Sequence, residues 1–204
     1  MLFVNCDSLC RADLLSDIDG IVSSSNALNT VAWAALNRPA MLWTYSLSGL
    51  SAAQLDSYFA QHILMRVFPT APLPNNINAV QPGNTTIAAY YMDYAPLFRQ
   101  LQASTWALAA LPALQNNTEV SVNVFNAPNT DVFVFAMTAS SSVPSCTVSI
   151  RALPSTASTF NVSVLYPGST APKPLGVYPK QNGVIVVDAP IVRGCVLLIV
   201  QAAS

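Results

Sequence analysis

One histidine, His62, and one glutamate, Glu119, stand in a chain of 204 residues. A Ser-His-Asp triad or a histidine-based metal centre must therefore run through His62 or not exist. Carboxylate-pair chemistry would have to use the eight aspartates. His62 falls three residues after Phe59 inside a helical period, so it reads as a helix-surface or satisfied interface histidine. Cys6 and Cys10 are too widely spaced for a zinc knuckle and read as small buried hydrophobes; no metal is expected. Cys146 and Cys195 each open a strand-like run. Outside the cytosol the two could pair as a disulfide. The seven glycines include no G-x-G spacing, so no phosphate cradle and no nucleotide cofactor are expected. Three N-x-Ser/Thr sequons start at Asn84, Asn116 and Asn161; the first two fall in turn-like stretches and the third on the polar face of a strand.

The composition narrows the class of partner. Hydrophobic residues make up 52% and charged residues 8%, against roughly 25% charged in an ordinary domain. A disordered, highly charged chain is thereby excluded. Eight Lys and Arg balance nine Asp and Glu, which leaves no basic footprint for nucleic acid. The longest apolar run, Val196-Leu197-Leu198-Ile199-Val200, is far short of the ~20 residues of a membrane span. Met1 to Asp7 carries no basic n-region and its apolar run is too short for a signal peptide. It reads as a buried strand.

The elements that would position these groups change character along the chain. Leu2-Phe3-Val4, Ile18 to Val22 and Ala40 to Tyr45 are short apolar runs, each followed by a helical period. In the last of these helices Ser51 and Gln54 form a capping box, and Leu55, Phe59, Ile63 and Val67 mark one face. Strands buried on both faces and alternating with helices predict parallel βαβ units. Residues 70–86 read as a linker or long loop. A short helix is expected from Asp93 as N-cap to Leu101, with Pro96 in its first turn. Trp106 to Leu111 reads as an entering strand, with Trp106 packed between that helix and the next domain. From about residue 116 the period becomes two, as in Val120, Val122 and Val124. Repeated strands without helices predict an antiparallel sandwich.

The order of parts resembles the end of a (β/α)8-barrel glycoside hydrolase followed by its C-terminal β-sandwich. The residues that carry the resemblance are Asp17-Ile18-Asp19-Gly20-Ile21-Val22 and Asn37-Arg38-Pro39-Ala40-Met41-Leu42-Trp43-Thr44-Tyr45, as late barrel strands. Phe68-Pro69-Thr70-Ala71-Pro72 and Tyr91-Met92-Asp93-Tyr94-Ala95-Pro96-Leu97-Phe98 look like the bridge into the sandwich. The fold class implied is an α/β remnant, three βα units of a TIM-type barrel, followed by an all-β antiparallel sandwich. Its parts are barrel units over 1–70, a linker with a short helix over 71–114 and the sandwich over 115–204. Barrel sites sit at the C-terminal ends of the strands. The resemblance thus implies Asp7 as a catalytic carboxylate and Asn5, Trp43 and Tyr45 as sugar contacts. The second strand ends in Ser23-Ser24-Ser25, without a carboxylate.

It follows that the chain is expected to be a C-terminal fragment of a carbohydrate-active protein, inactive by itself. Its partners are then carbohydrate and an upstream barrel segment or partner chain, in an extracellular or secretory setting. The alternatives are a non-catalytic carbohydrate-binding or adhesion sandwich, and a structural domain completed by another chain.

Overall fold

The computed structural model describes residues 3–5, 20–23, 40–42, 47, 49–69, 71–72, 78–79, 85–102, 104–107, 111–115, 119–127, 130–151, 153 and 156–203. Three of the apolar runs become strands, β1 (Phe3–Asn5), β2 (Gly20–Ser23) and β3 (Ala40–Leu42). Helix α1 (Ala52–Met65) then leads into β4 (Phe68–Pro69). The four strands form one parallel sheet in the order β1-β2-β3-β4. β3, α1 and β4 make a βαβ crossover.

The capping box forms. The Gln54 amide donates to Ser51 Oγ at 3.4 Å, and the Ser51 amide donates to Gln54 Oε1 at 2.8 Å. Arg66 ends the helix in the left-handed region at φ 54°, its amide turned back to the carbonyls of His62 and Ile63. Leu55, Phe59 and Ile63 are buried on one stripe, as their spacing predicts.

Two short antiparallel strands, β5 (Ala71–Pro72) and β6 (Asn78–Ala79), lie where the sequence reads as a loop. Helix α2 (Thr85–Gln102) follows, and it corrects the expected short helix. Asp93 is in mid-helix, not at the N-cap, and Pro96 is interior. Pro96 offers no N–H to the Met92 carbonyl and would ordinarily break the helix. Met92 is 75% exposed, so the lost bond lies toward water, and the burial of Ile87, Tyr94, Leu97, Phe98 and Leu101 holds the helix together.

The remaining strands are β7 (Thr105–Trp106), β8 (Leu111–Gln115), β9 (Ser121–Asn126), β10 (Val132–Thr138), β11 (Val143–Arg151), β12 (Thr159–Leu165), β13 (Lys173–Pro179), β14 (Val184–Ile191) and β15 (Cys195–Ala202). They form a six-stranded sheet, β13-β12-β15-β10-β9-β7, and a three-stranded sheet, β14-β11-β8. All pairings in both are antiparallel. The single entering strand expected from Trp106 to Leu111 is two strands, β7 and β8, one in each sheet.

The chain is sheet-rich, with its two antiparallel sheets facing each other across a shared apolar core, as in a β-sandwich. Phe133, Phe135 and Met137 of β10, with Val196, Leu198 and Val200 of β15, meet Val148, Ile150, Ile185 and Val187 of the smaller sheet. The alternate residues, Val134, Ala136, Leu197 and Ile199, face the other way and pack under α1 and α2. Strands β10 and β15 are therefore buried on both faces. That is why 196–200 is continuously apolar although the sheet is antiparallel.

The same parity overturns the disulfide expectation. Cys146 faces the core between the sheets, whereas Cys195 faces the helices, and both are free thiols. The β15 backbone stands between the two side chains, so no bridge joins them. Burial pushes both thiols above their usual range, strongly at Cys195, with the Asp188 charge adding to the effect at Cys146.

Candidate functional site

Two places on the fold are candidates for a site. The first is the C-terminal end of the parallel sheet. Register sets Asn5, Val22, Met41 and Phe68 in one row across it, and Ser23, Leu42 and Pro69 in the next. Asn5 is the last residue of β1. Asp7, Trp43 and Tyr45, the other residues picked out for this end, lie outside the described residues. So do the sequon residues Asn84 and Asn116. Asn161 is described: it is exposed on β12, between Gln201 and Val177, which is 63% exposed.

The second place is a polar cluster that no sequence pattern announced. Val192 and Cys195 bridge across a two-residue turn, Arg193-Gly194, in which both residues have positive φ. A left-handed arginine there projects across the two helices. Its Nε donates to Asp56 Oδ1 of α1 at 2.9 Å, and its Nη1 donates to Asp93 Oδ2 of α2. The guanidinium also lies over Tyr90 at 4.9 Å and Tyr94 at 5.5 Å from the ring centroids. The Tyr94 hydroxyl is 3.0 Å from Asp56 Oδ1, 3.1 Å from the Arg193 carbonyl oxygen and 3.4 Å from the Asp56 carbonyl oxygen, one proton shared among three acceptors. The Arg193 amide donates to Ser142 Oγ at 2.9 Å, and the Gly168 amide to the Asp93 carbonyl at 2.8 Å.

The electrostatics follow from this geometry. Desolvation pulls the Arg193 guanidinium down, but the Asp93 hydrogen bond and the Asp56 charge and hydrogen bond reverse it and hold the group above its usual range. Burial, then the Asp56 charge, raises the Tyr94 phenol. Both groups keep their protons at neutral pH. Two aspartates near one another suggest a hydrolytic pair, but each has an oxygen taken by the same cation. The arrangement is a clamp: it fastens α1 and α2 to one hairpin of the sandwich.

A prediction follows for the clamp. Side-chain exposures of 29% for Arg193, 18% for Asp56 and 36% for Asp93 mean that water screens part of it. Stranding two carboxylates by Arg193→Met is therefore expected to cost about 2 kcal/mol, below the 3–5 of a fully buried pair. Urea titration of Arg193→Met, Asp56→Asn and the double variant checks it. The double variant should lose clearly less than the sum of the singles, and strict additivity would mean the pair does not interact.

His62 sits apart from both places. It is 3% exposed rather than on the helix surface, with Nδ1 at 2.8 Å from the Tyr58 carbonyl oxygen and Nε2 without a partner among the described residues. Trp106 packs edge-on against Phe125 at 5.3 Å, beneath the helices, as expected. Among the described residues no group of three His, Cys, Asp or Glu is placed to hold a metal ion, and no helix is long and apolar enough to cross a membrane.

No family model matches the chain, and no curated protein is significantly similar to it. Solved structures are similar in fold. A glycoside hydrolase family 30 subfamily 8 xylanase, Xyn30A, from Clostridium acetobutylicum aligns with a TM-score of 0.51 at 12% identity, over 94% of this chain and 51% of its own. A glucosidase from Croceicoccus marinus aligns with a TM-score of 0.50 at 10% identity, over 92% of this chain and 54% of its own. The chain thus spans about half the length of the structures it matches. At such identities the likeness is one of fold.

Proposed function

We propose that this chain is the C-terminal part of a glycoside hydrolase-like protein: the last strands of a (β/α)8 barrel over 1–70, a connection over 71–114 and the sandwich over 115–204. One observation carries the reading. Four parallel strands in sequential order run on, within a single chain, into an antiparallel sandwich. Sequential order is what a barrel requires, and α1 crossing from β3 to β4 is one of its repeating units. The fold likeness to the family 30 xylanase extends over both parts.

On this reading a sugar lies across the C-terminal ends of β1 to β3. Asp7, just past β1, is the carboxylate; Asn5 donates to a sugar hydroxyl, and Trp43 and Tyr45 stack on the ring. Hydrolysis of a glycosidic bond needs two carboxyl groups, about 5–5.5 Å apart for retention and 6.5–9.5 Å for inversion. The serine-rich end of β2 supplies no second one. The chain by itself then binds sugar weakly and turns nothing over, and the rest of the barrel comes from an upstream segment or a partner chain. An extracellular or secretory location, with glycans on the sequons, fits the carbohydrate setting.

The test has two parts. The native protein, detected through a peptide of the sandwich, should have a mass well above 21.7 kDa or co-purify with a barrel-bearing subunit. The 204-residue chain should not hydrolyse xylan or aryl glucosides. A native monomer at 21.7 kDa would sink the reading, and glycan binding by that monomer would favour a carbohydrate-binding or adhesion module.

A further inference from the structure

Helix α1 is the wedge of the molecule: it packs against α2, β4, β9, β10 and β15. Its last turn is pinned to β9, where Asn123 Nδ2 donates to the Leu64 carbonyl at 2.7 Å. His62 lies in this interface, on the buried side of the helix, with its ring 4.3 Å from that of Tyr58. The Tyr58 carbonyl oxygen can only accept, so Nδ1 carries the ring proton and Nε2 is a bare acceptor. A second proton would have to go onto Nε2. There it would create a buried N–H without an acceptor among the described residues, and a full charge beside it.

We propose that His62 is an acid-sensitive latch: only the neutral imidazole lets α1 stay seated on the six-stranded sheet, and protonation releases the helix. Among the described residues little in the surroundings offsets that charge. Strands β4, β9 and β10 carry no ionisable side chain, and β15 presents Cys195. Helix α2 carries Tyr90, Tyr91, Asp93, Tyr94 and Arg99, of which Asp93 is held by Arg193. On α1 itself lie Tyr58, whose ring is against His62, and Asp56, in the second turn, which is held by the same arginine. Arg66, at the C-cap, donates to the carbonyls of Leu101 and Gln102.

Burial, opposed by the Tyr58 carbonyl, lowers His62 from 6.5 to about 4 in the seated helix. A released helix returns it to its ordinary value. Above pH 6.5 the ring is neutral in both forms and the latch is indifferent to pH. As pH falls from there to about 4 the released form alone gains the proton, so the seated form loses stability. The ratio of released to seated helix rises on the order of 100-fold between pH 7 and pH 4.

The experiment is hydrogen exchange of the full chain at pH 7, 5.5 and 4, corrected for intrinsic rates. Amides of Tyr58 to Ile63 should lose protection on the order of 100-fold, while those of Cys146 to Ile150 in β11 keep theirs. His62→Phe should flatten the loss in α1, and Asp56→Asn should leave it in place. The latch is refuted if α1 protection in the native chain ignores pH, or if β11 fails in step with α1. It is refuted equally if His62→Phe keeps the acid loss or Asp56→Asn abolishes it. Should His62→Phe not fold, the comparison of α1 with β11 in the native chain decides alone.

Discussion

Replacing Phe59 by alanine is expected to remove about 4 kcal/mol of stability, within the 3–5 typical of a buried phenylalanine. The side chain is fully buried, at the contact of α1 with α2. Tyr91 meets it edge-on at 4.9 Å, Tyr94 stacks at 5.0 Å, Tyr58 lies at 5.3 Å and Tyr90 at 6.1 Å. Truncation removes area from all four contacts and leaves a void that rigid rings cannot collapse into. In a chain of this size the loss lowers the melting temperature by about 10 °C. Met92→Ala, on the exposed side of α2, is the matched control and should stay within about 0.5 kcal/mol. Calorimetry on the two variants checks both. A Phe59→Ala loss under about 1 kcal/mol would mean that the helices are not docked as described, because ordinary burial alone exceeds it.

What the sequence makes legible here is what local periodicity encodes. The capping box Ser51-Ala52-Ala53-Gln54, the stripe Leu55, Phe59, Ile63, and the alternation in β11 and β12 each declare themselves within one element. The run 196–200 is legible as a strand, but its continuous apolarity leaves open which layer covers each face. Only the arrangement of helices on one side and sheet on the other separates Cys195 from Cys146. Asp93 and Pro96 misled for a related reason. Both are helix-start residues by propensity, and tertiary burial of Tyr94, Leu97 and Phe98 carried the helix two turns further back.

The Arg193 clamp was illegible because its members lie 100 and 137 positions from their partners. The signal that could have found it is the pair Arg193-Gly194 between two apolar strands, a two-residue turn that places a charged residue on a crowded hairpin. At the other place the sequence reading runs ahead of the structure. β1, β2 and β3 emerge where the apolar runs put them, while Asp7, Trp43 and Tyr45 lie just beyond the described ends of those strands.

Gly194 tests whether that hairpin is as tightly seated as the clamp requires. Its φ of +72° is already a left-handed conformation, and a β-carbon built there would stand 2.8 Å from the Ala139 carbonyl oxygen. That oxygen belongs to backbone, not to a side chain that can swing away. The Ala139 amide also donates to the Gly194 carbonyl at 3.0 Å, which holds the two segments together from the other side. Gly194→Ala therefore carries two penalties: about 1–2 kcal/mol for a side chain in the left-handed region, and about 1–3 for the overpacking. The expected loss is near 3 kcal/mol in urea titration. Gly183→Ala separates the two, since Gly183 has φ +79° with nothing within 4 Å of its built β-carbon. It should lose only the conformational part, about 1 kcal/mol. Equal losses at the two glycines would show that the β14–β15 hairpin has room to move away from Ala139. In that case Arg193 could not be held to Asp56 and Asp93 by a rigid turn, and the clamp would have to be an adjustable surface contact.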